Sequence, residues 1–225
     1  MLDSNRRGPE AACVNDTVDN ELPEWAGLVL ASASPRLRGL LESALRLDAR
    51  LGRICLTASE PALSQIRLAW WRDELSRERP AEAQMPPDPL LASLLREWGD
   101  DRSALIRLID GWEELIGDLP PSGAAAVGFA AGREAVFSQI AVSSGETASA
   151  SDAAAHASAW ARADLAAFGL PSSGSIRPLP RLPRSLRPLA MIGGLARRAL
   201  QRGGKAMFGD RFSPLVALRL GIFGT

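Results

Sequence analysis

Apolar residues recur every three or four positions from residue 37 to residue 55, which is the spacing of one face of a helix. Arg46, Arg50 and Arg53 fall on the opposite face. This pattern predicts an amphipathic helix with one buried side. Asp48 interrupts the pattern because it falls on the apolar face, among leucines and alanines.

The same periodicity returns along the rest of the chain, and the strict alternation typical of strands does not occur. A short helix is predicted after Pro23, with Trp25, Leu28 and Val29 buried. The region 124–142 is rich in small residues, which favours a helix that approaches its neighbours closely. Further helices are predicted at 62–77, 89–98, 101–116, 124–142, 152–168, 185–201 and 214–223. The pattern therefore predicts an all-α fold.

The helix predicted at 62–77 carries a wide apolar surface that includes both Trp70 and Trp71. Adjacent residues on a helix point about 100° apart, so the two indoles cannot enter the same pocket. We expect them to pack as structural wedges against different neighbouring helices. The alternative is a pair that stacks on a ligand.

Composition agrees with a helical globular domain. Apolar residues make up 46% of the 225 positions and charged residues 23%, while tyrosine is absent and lysine occurs once, as Lys205. Alanine, leucine and arginine, which are strong helix formers, are abundant. Residues 1–20 lack periodicity and are expected to be a disordered leader, and residues 21–225 are expected to form one helical domain.

Few residues suit metal or relay chemistry. Cys13 and Cys55 show neither a disulfide framework nor metal-ligand spacing, and the single histidine, His156, is expected on a helix near the surface. No apolar run reaches the ~18 to 20 residues that cross a bilayer. We expect a cytoplasmic protein, or one bound peripherally at the inner face of a membrane.

Basic and acidic residues are equal in number, 26 of each, but unevenly distributed. Residues 1–168 carry 16 basic and 25 acidic side chains, a net charge of −9, whereas residues 169–225 carry ten basic side chains and Asp210, a net charge of +9. No nucleic-acid partner is expected from this balance. The basic C-terminal segment, from about residue 169, either packs against the acidic body or presents a cationic surface to anionic lipid or an acidic partner.

Two acids fall on faces otherwise occupied by apolar side chains, Asp48 and Asp164. A buried, unpaired carboxylate costs several kcal/mol, so each needs an arginine partner, a hydrogen-bonding shell or a wet cavity. Both could line one cleft, and an interior ion pair is the alternative for either. Asp100 and Asp101 precede a predicted helix, and we expect them to cap it rather than to act as a catalytic pair.

Several motifs resemble those of one known family, the squalene/phytoene synthases. The front half carries Leu-Asp-Ala-Arg-Leu at 47–51, Ser-Glu-Pro at 59–61 and Ile-Arg-Leu-Ala-Trp-Trp-Arg-Asp at 66–73. Leu-Ile-Asp-Gly-Trp-Glu at 108–113 and Trp-Ala-Arg-Ala-Asp-Leu at 160–165 are similar to later helices of the family. The resemblance covers about residues 25–168 and is looser beyond, and the Trp-Trp-Arg-Asp run is its most specific part.

The resemblance implies a single helical bundle of the isoprenoid synthase type, reduced in length. Active members join two prenyl diphosphates head to head and hold Mg²⁺ with two Asp-x-x-x-Asp boxes on facing helices. Here Asp48 stands where the first box begins, and Gly52 occupies its second place. Asp164 stands in the region of the second box, and Phe168 lies four residues on. Each box therefore lacks one of its two carboxylates.

The same resemblance implies a ligand cleft and a set of residues for it. Asp48 and Asp164 are vestigial catalytic candidates, expected to point into one interior cleft between their helices. No catalytic residue, metal ligand or cofactor is otherwise expected, and Mg²⁺ enters only for an active prenyltransferase. The residues assigned to the cleft are Asp48, Gly52, Arg67, Trp71, Trp160, Asp164 and Phe168.

The missing carboxylates and the short chain place the sequence nearer a non-catalytic branch, which resembles the mitochondrial complex I assembly factor. The leading hypothesis is a squalene/phytoene synthase-like pseudoenzyme that binds a protein partner or an isoprenoid-like ligand. One alternative is a divergent Mg²⁺-dependent prenyltransferase with Asp48, Asp164 and arginines as a reduced diphosphate site. Another is a peripheral membrane scaffold that uses the basic C-terminal segment.

Overall fold

The computed structural model describes residues 22–57, 60–80, 84–117, 120–167, 169, 178–208 and 213–223. The expected disordered leader lies outside these ranges, as do Cys13 and Phe168. The described residues form nine α-helices and no strand, which confirms the all-α prediction. The helices are α1 Ala26–Ala31, α2 Pro35–Thr57, α3 Pro61–Ser76, α4 Pro89–Trp98, α5 Ser103–Glu113, α6 Gly123–Ser143, α7 Ala150–Ala167, α8 Arg187–Gln201 and α9 Ser213–Phe223.

Side-chain caps fix the starts of two helices. The Asp88 carboxylate accepts a hydrogen bond from the Leu91 amide at 2.8 Å at the start of α4, and the Ser122 hydroxyl accepts one from the Ala125 amide at 3.1 Å at the start of α6. The capping role expected of Asp100 and Asp101 is wrong. Helix α5 begins at Ser103 behind Arg102 without a side-chain cap, so both acids lie outside its first turn and are exposed.

Helix α6 packs between α5 and α7, while α7 also contacts α8, and α2 packs on α4 and α5. The close approach predicted for the small-residue region is confirmed where α5 meets α6. A Cβ atom on Gly132 would lie 2.7 Å from the Arg107 carbonyl oxygen, and one on Gly111 would lie 3.0 Å from the Gly128 carbonyl oxygen. These two glycines let the backbones touch, and they fix the depth of the residue that follows Gly132 on α6.

Helix α3 buries less of its apolar surface than its sequence predicts. Leu63, Ile66 and Trp70 are exposed, Ile66 by 66% and Trp70 by 44%, whereas Trp71 is 3% exposed. The two indoles contact each other edge to face, with ring centroids 5.0 Å apart. Trp71 is thus the structural wedge, and Trp70 lies at the surface. Leu28 on α1 is likewise 41% exposed rather than buried.

The arginine of the Trp-Trp-Arg-Asp run ties two helices together. Arg72 of α3 donates hydrogen bonds to Asp110 at 2.6 Å and to Glu113 at 2.5 Å, both on α5. The hydrogen bond to Glu113 is the largest cause that raises the pKa of Arg72, although partial burial opposes it. This part of the motif therefore has a structural role in the fold.

His156 is buried, so the expectation of a surface position is wrong. Its Nε2 atom lies 2.9 Å from the Pro180 carbonyl oxygen, and a Cβ on Gly193 of α8 would lie 2.3 Å from its Nδ1 atom. Burial lowers the pKa of the imidazole, more than the Pro180 hydrogen bond raises it. The neutral ring joins α7, α8 and the segment before α8.

Helix α8, in the basic C-terminal segment, closes the bundle through a buried apolar face. Leu189, Ile192 and Leu195 are fully buried on it, and the helix packs between α7 and α9. Among the described residues, no helix combines the length and apolar character needed to span a bilayer.

Candidate functional site

Asp48 of α2 and Asp164 of α7 face each other, as expected, and a single arginine lies between them. Arg133 of α6 binds Asp48 in a bidentate manner, with Nε 2.9 Å from Oδ1 and Nη2 2.8 Å from Oδ2. Its Nη1 atom lies 2.6 Å from Oδ2 of Asp164. The three side chains form an interior ion-pair bridge across three helices, and we call them the Arg133 bridge.

Aromatic rings surround the bridge. The guanidinium carbon of Arg133 lies 3.7 Å from the ring centroid of Trp160, 4.4 Å from that of Phe129 and 5.6 Å from that of Trp112. The arginine side chain is 2% exposed. Rings at these distances attract the cation through their negative faces, which offsets part of the cost of removing it from water.

Trp112 of α5 supplies a further hydrogen bond to the bridge. Its Nε1–H donates to Oδ1 of Asp48 at 3.0 Å, so this carboxylate accepts from both an indole and a guanidinium. The ring lies against Gly52, where an added Cβ would be 2.9 Å from the Trp112 Cη2 atom. Position 52 therefore has no room for a side chain while Trp112 donates to Asp48.

Burial and the neighbouring charges of the bridge have opposing effects on the pKa values of Arg133 and Asp164. Burial lowers the pKa of Arg133, but its two carboxylate partners together outweigh burial and raise it, so the guanidinium stays charged. Burial is also the largest cause that raises the pKa of Asp164, and the negative charge of Asp48 adds to it, against the opposing effect of Arg133. Two carboxylates with one cation leave the bridge with a formal charge of −1 when all three groups are ionised.

A cleft of about 290 Å³ opens beside the bridge. Four of the residues assigned to a ligand cleft lie in its wall, namely Asp48, Gly52, Trp160 and Asp164. The side chain of Asp164 is 32% exposed, whereas that of Asp48 is 9% exposed. The remaining wall is formed by Leu22, Pro23, Trp25, Leu45, Ala49, Trp112 and Arg133.

Two assigned residues do not belong to this cleft, and a third cannot be placed. Arg67 is exposed on α3, and Trp71 is buried in the core between α3 and its neighbours; neither lines the cleft. Leu68 lies on the buried face of α3. Arg67, one residue earlier, is rotated from Leu68 by about 100° around the helix axis and therefore points outward. Phe168 lies outside the described residues.

Arg133 and Trp112 are the residues that sequence reasoning missed at this site. The spacing around Trp112 predicts a helix and gives no sign of a site, and Arg133 lies within a run of small residues. A signal was present, because Arg133 follows Gly132 on a helix whose Phe129, Val136 and Phe137 are otherwise apolar. A cation on an apolar face requires an acidic partner, and Asp48 and Asp164, which also lie on apolar faces, each require a basic one.

Cys55 lies next to Trp112, and its thiol has a raised pKa. The Cys55 thiol donates to the Trp112 carbonyl oxygen at 3.4 Å, and burial, with a smaller effect of Glu113, raises its pKa to about 12. Within the described ranges there is no group of three or more His, Cys, Asp or Glu side chains that could hold a metal ion. The arrangement can hold a ligand against indoles and one accessible carboxylate.

Comparisons with known proteins add no family to this description. No protein-family model, no curated protein and no solved structure matches the chain.

Proposed function

We propose that this chain is a non-catalytic protein of the squalene/phytoene synthase type, in which the cleft beside the Arg133 bridge binds an uncharged, isoprenoid-like ligand. The observation that carries the proposal is the bridge itself. In the family that the sequence resembles, the carboxylates at these places hold Mg²⁺ and diphosphate. Here both oxygens of Asp48 accept from Arg133, and one of Asp164 does so as well.

Gly52 supports the same conclusion. Restoring an acid at this position would place a side chain where the Trp112 ring lies, because even a Cβ atom would be 2.9 Å from that ring. Trp112 in turn donates its N–H to Asp48. Loss of the second carboxylate thus accompanies a rebuilt set of contacts around the first.

The cleft suits an apolar ligand better than a diphosphate. Trp25, Trp112 and Trp160 provide an aromatic wall, and the bridge has a formal charge of −1 when its three groups are ionised. A diphosphate would meet this negative charge in a partly dehydrated site, which is unfavourable unless further cations enter with it. An uncharged isoprenoid avoids the repulsion and buries its surface against the rings.

Calorimetry with farnesol and with farnesyl diphosphate, each with and without Mg²⁺, tests this proposal. We expect farnesol to bind independently of Mg²⁺, and no pyrophosphate release from the diphosphate. Ala49→Leu, which fills the cleft wall, should weaken farnesol binding, whereas Ala92→Leu on the half-buried face of α4 should not. Mg²⁺-dependent diphosphate binding that Asp164→Asn abolishes would instead support the divergent prenyltransferase.

Helix α9 favours a second candidate function, peripheral attachment to an anionic membrane. Leu215 and Leu218 are 62% and 57% exposed, while Ala217 and Leu220 are buried on the opposite side of the helix. The segment 169–225 that contains α9 has ten basic residues and one acid. Exposed leucines within a basic segment of the chain suit the interface of an anionic bilayer, where each basic residue near the surface contributes on the order of 1 kcal/mol.

Vesicle flotation tests the membrane candidate. We expect the protein to float with vesicles that contain phosphatidylglycerol, to remain in solution with phosphatidylcholine alone, and to detach at ~0.5 M salt, where charge attraction is screened. Leu215→Ser with Leu218→Ser should abolish flotation. The matched control is Leu56→Ser with Leu63→Ser, at two leucines 42% and 43% exposed on α2 and α3. Equal loss in both double variants would refute a specific role of α9.

A further inference from the structure

A second and larger cavity lies on the other side of α7. It has a volume of about 480 Å³ and is walled by α6, α7, α8 and the segment 178–180. Ser151, Ala155, Ser158 and Arg162 recur every three or four residues of α7 and form one side of it. Ser158 and Arg162 precede Trp160 and Asp164 by two positions, which is a rotation of about 200°, so the two cavities use nearly opposite faces of the helix. We call this second cavity the α7–α8 groove.

Two arginines stand in the wall of the α7–α8 groove, Arg162 from α7 and Arg197 from α8. Both are half-buried. Within the described residues neither side chain has a hydrogen bond or an ion pair, in contrast to Arg72 and Arg133. Among the described residues that line the groove, Glu134 is the one acid, and no ion pair joins it to either arginine. Because neither guanidinium has an acceptor among the described residues, both are available to donate hydrogen bonds to an anion that enters the groove.

The other lining groups define the kind of anion. Ser151 and Ser158 add two hydroxyl donors, and the charges of Arg162, Arg197 and Glu134 sum to +1. Two guanidinium forks and two hydroxyls suit the three terminal oxygens of a phosphate monoester better than the two of a carboxylate. Apolar side chains complete the wall and provide a surface for the substituent of the ester: Ala154, Ala155, Ala159, Leu179 and Leu200.

We propose that the α7–α8 groove binds a phosphate monoester that carries an apolar group, with Arg162 and Arg197 holding the phosphate. The site is independent of the cleft beside the Arg133 bridge, which carries the opposite charge and uses the opposite face of α7. The two sites can therefore be occupied, and disabled, separately.

Calorimetry with hexyl phosphate, inorganic phosphate and hexanol tests the proposal. Hexyl phosphate should bind saturably and about tenfold or more tighter than inorganic phosphate, because the apolar wall covers several methylene groups. Hexanol should show no saturable binding. Lack of saturable binding of hexyl phosphate would overturn the proposal. Equal affinity for hexyl phosphate and inorganic phosphate would also overturn it, because the apolar wall would then contribute nothing to binding.

Variants distinguish specific binding of hexyl phosphate in the α7–α8 groove from a general effect of net charge. Arg162→Gln and Arg197→Gln should each weaken hexyl phosphate by about tenfold, the loss expected for one charge-assisted contact. Arg107→Gln, at an exposed arginine of α5, removes the same charge and should leave the affinity unchanged. Glu134→Gln should strengthen binding, whereas Glu78→Gln, at an exposed site outside the groove, should not. If the paired variants behaved alike, binding would depend on net charge and the proposal would fail.

Discussion

Arg133 and Asp48 form a two-pronged ion pair in the interior, with N–O distances of 2.9 and 2.8 Å, between helices α6 and α2. The side chain of Arg133 is 2% exposed and that of Asp48 is 9% exposed, so neither charge retains much of its water. Such a pair contributes little net stability compared with well-packed apolar residues, but it is costly to break on one side. The pair fixes α6 relative to α2, and the hydrogen bond from Arg133 to Asp164 adds α7 to the same arrangement.

Removal of the cation alone should therefore be severe. Arg133→Met is expected to lower the free energy of unfolding by about 3–5 kcal/mol, because it leaves Asp48 charged, buried and without its main partner. Urea denaturation followed by circular dichroism measures this loss.

A double-mutant cycle provides the control for that measurement. Asp48→Leu combined with Arg133→Met removes both charges and replaces them with apolar volume, so the double variant should be clearly more stable than the sum of the two single changes predicts. Additive losses would show that the two side chains do not act as a pair.

Asp164 makes the stability of the protein depend on pH, because burial raises its pKa in the folded state. A carboxyl with a raised pKa binds more protons when folded than when unfolded, so its contribution to stability falls as the pH rises from its ordinary pKa of 3.8 through the raised value. Asp164→Asn keeps a hydrogen-bond acceptor for Arg133 but replaces the titratable carboxyl with an amide that does not ionise. The variant should therefore lose less stability than wild type between pH 4 and pH 7, as measured by urea denaturation at each pH.

The apolar periodicity predicted the helices because a buried face leaves a regular record in the sequence. Asp48 and Asp164 could also be placed in one cleft, because each falls on an apolar face and the family resemblance sets their two helices opposite each other. Identifying that group required the packing of a third helix, because Arg133 lies 85 residues from Asp48 and 31 from Asp164 along the chain. Long-range pairing of this kind leaves no periodic signal.

For a related reason, the periodicity of α3 predicts more buried apolar surface than the structure shows. Periodicity states which residues share a face but not how many neighbouring helices cover them. Leu68, Trp71 and Leu75 meet neighbouring helices, whereas Leu63 and Ile66 remain in solvent. The identity of the covered side depends on how α3 meets α2, α4 and α5, and the sequence of α3 alone does not contain that information.

Gly52 gives a test of the space beside Trp112. Alanine normally stabilises the interior of a helix relative to glycine by roughly 0.5–1 kcal/mol. At position 52 its Cβ would lie 2.9 Å from the Trp112 ring, so Gly52→Ala should instead destabilise the protein by about 1–3 kcal/mol. Gly27→Ala on α1 is the matched control, because nothing lies within 4 Å of its added Cβ. Thermal unfolding should shift in opposite directions in the two variants, and a shared increase in Tm would contradict the packing described for Trp112.

The adjacent tryptophans of α3 offer the sharpest comparison, since they have the same side chain in neighbouring positions. Trp71 is 3% exposed and Trp70 44% exposed. Trp71→Ala should cost ~3–5 kcal/mol, as truncation of a buried aromatic residue leaves a cavity that the core cannot refill. Trp70→Ala leaves no enclosed cavity, and it should cost less than about 1 kcal/mol, mainly through lost edge-to-face contact with Trp71. Chemical denaturation of both variants measures the difference, and it separates the structural role from the ligand-stacking alternative. Equal, small losses in both, together with weakened farnesol binding, would mean that the two indoles act on a ligand and not in the core.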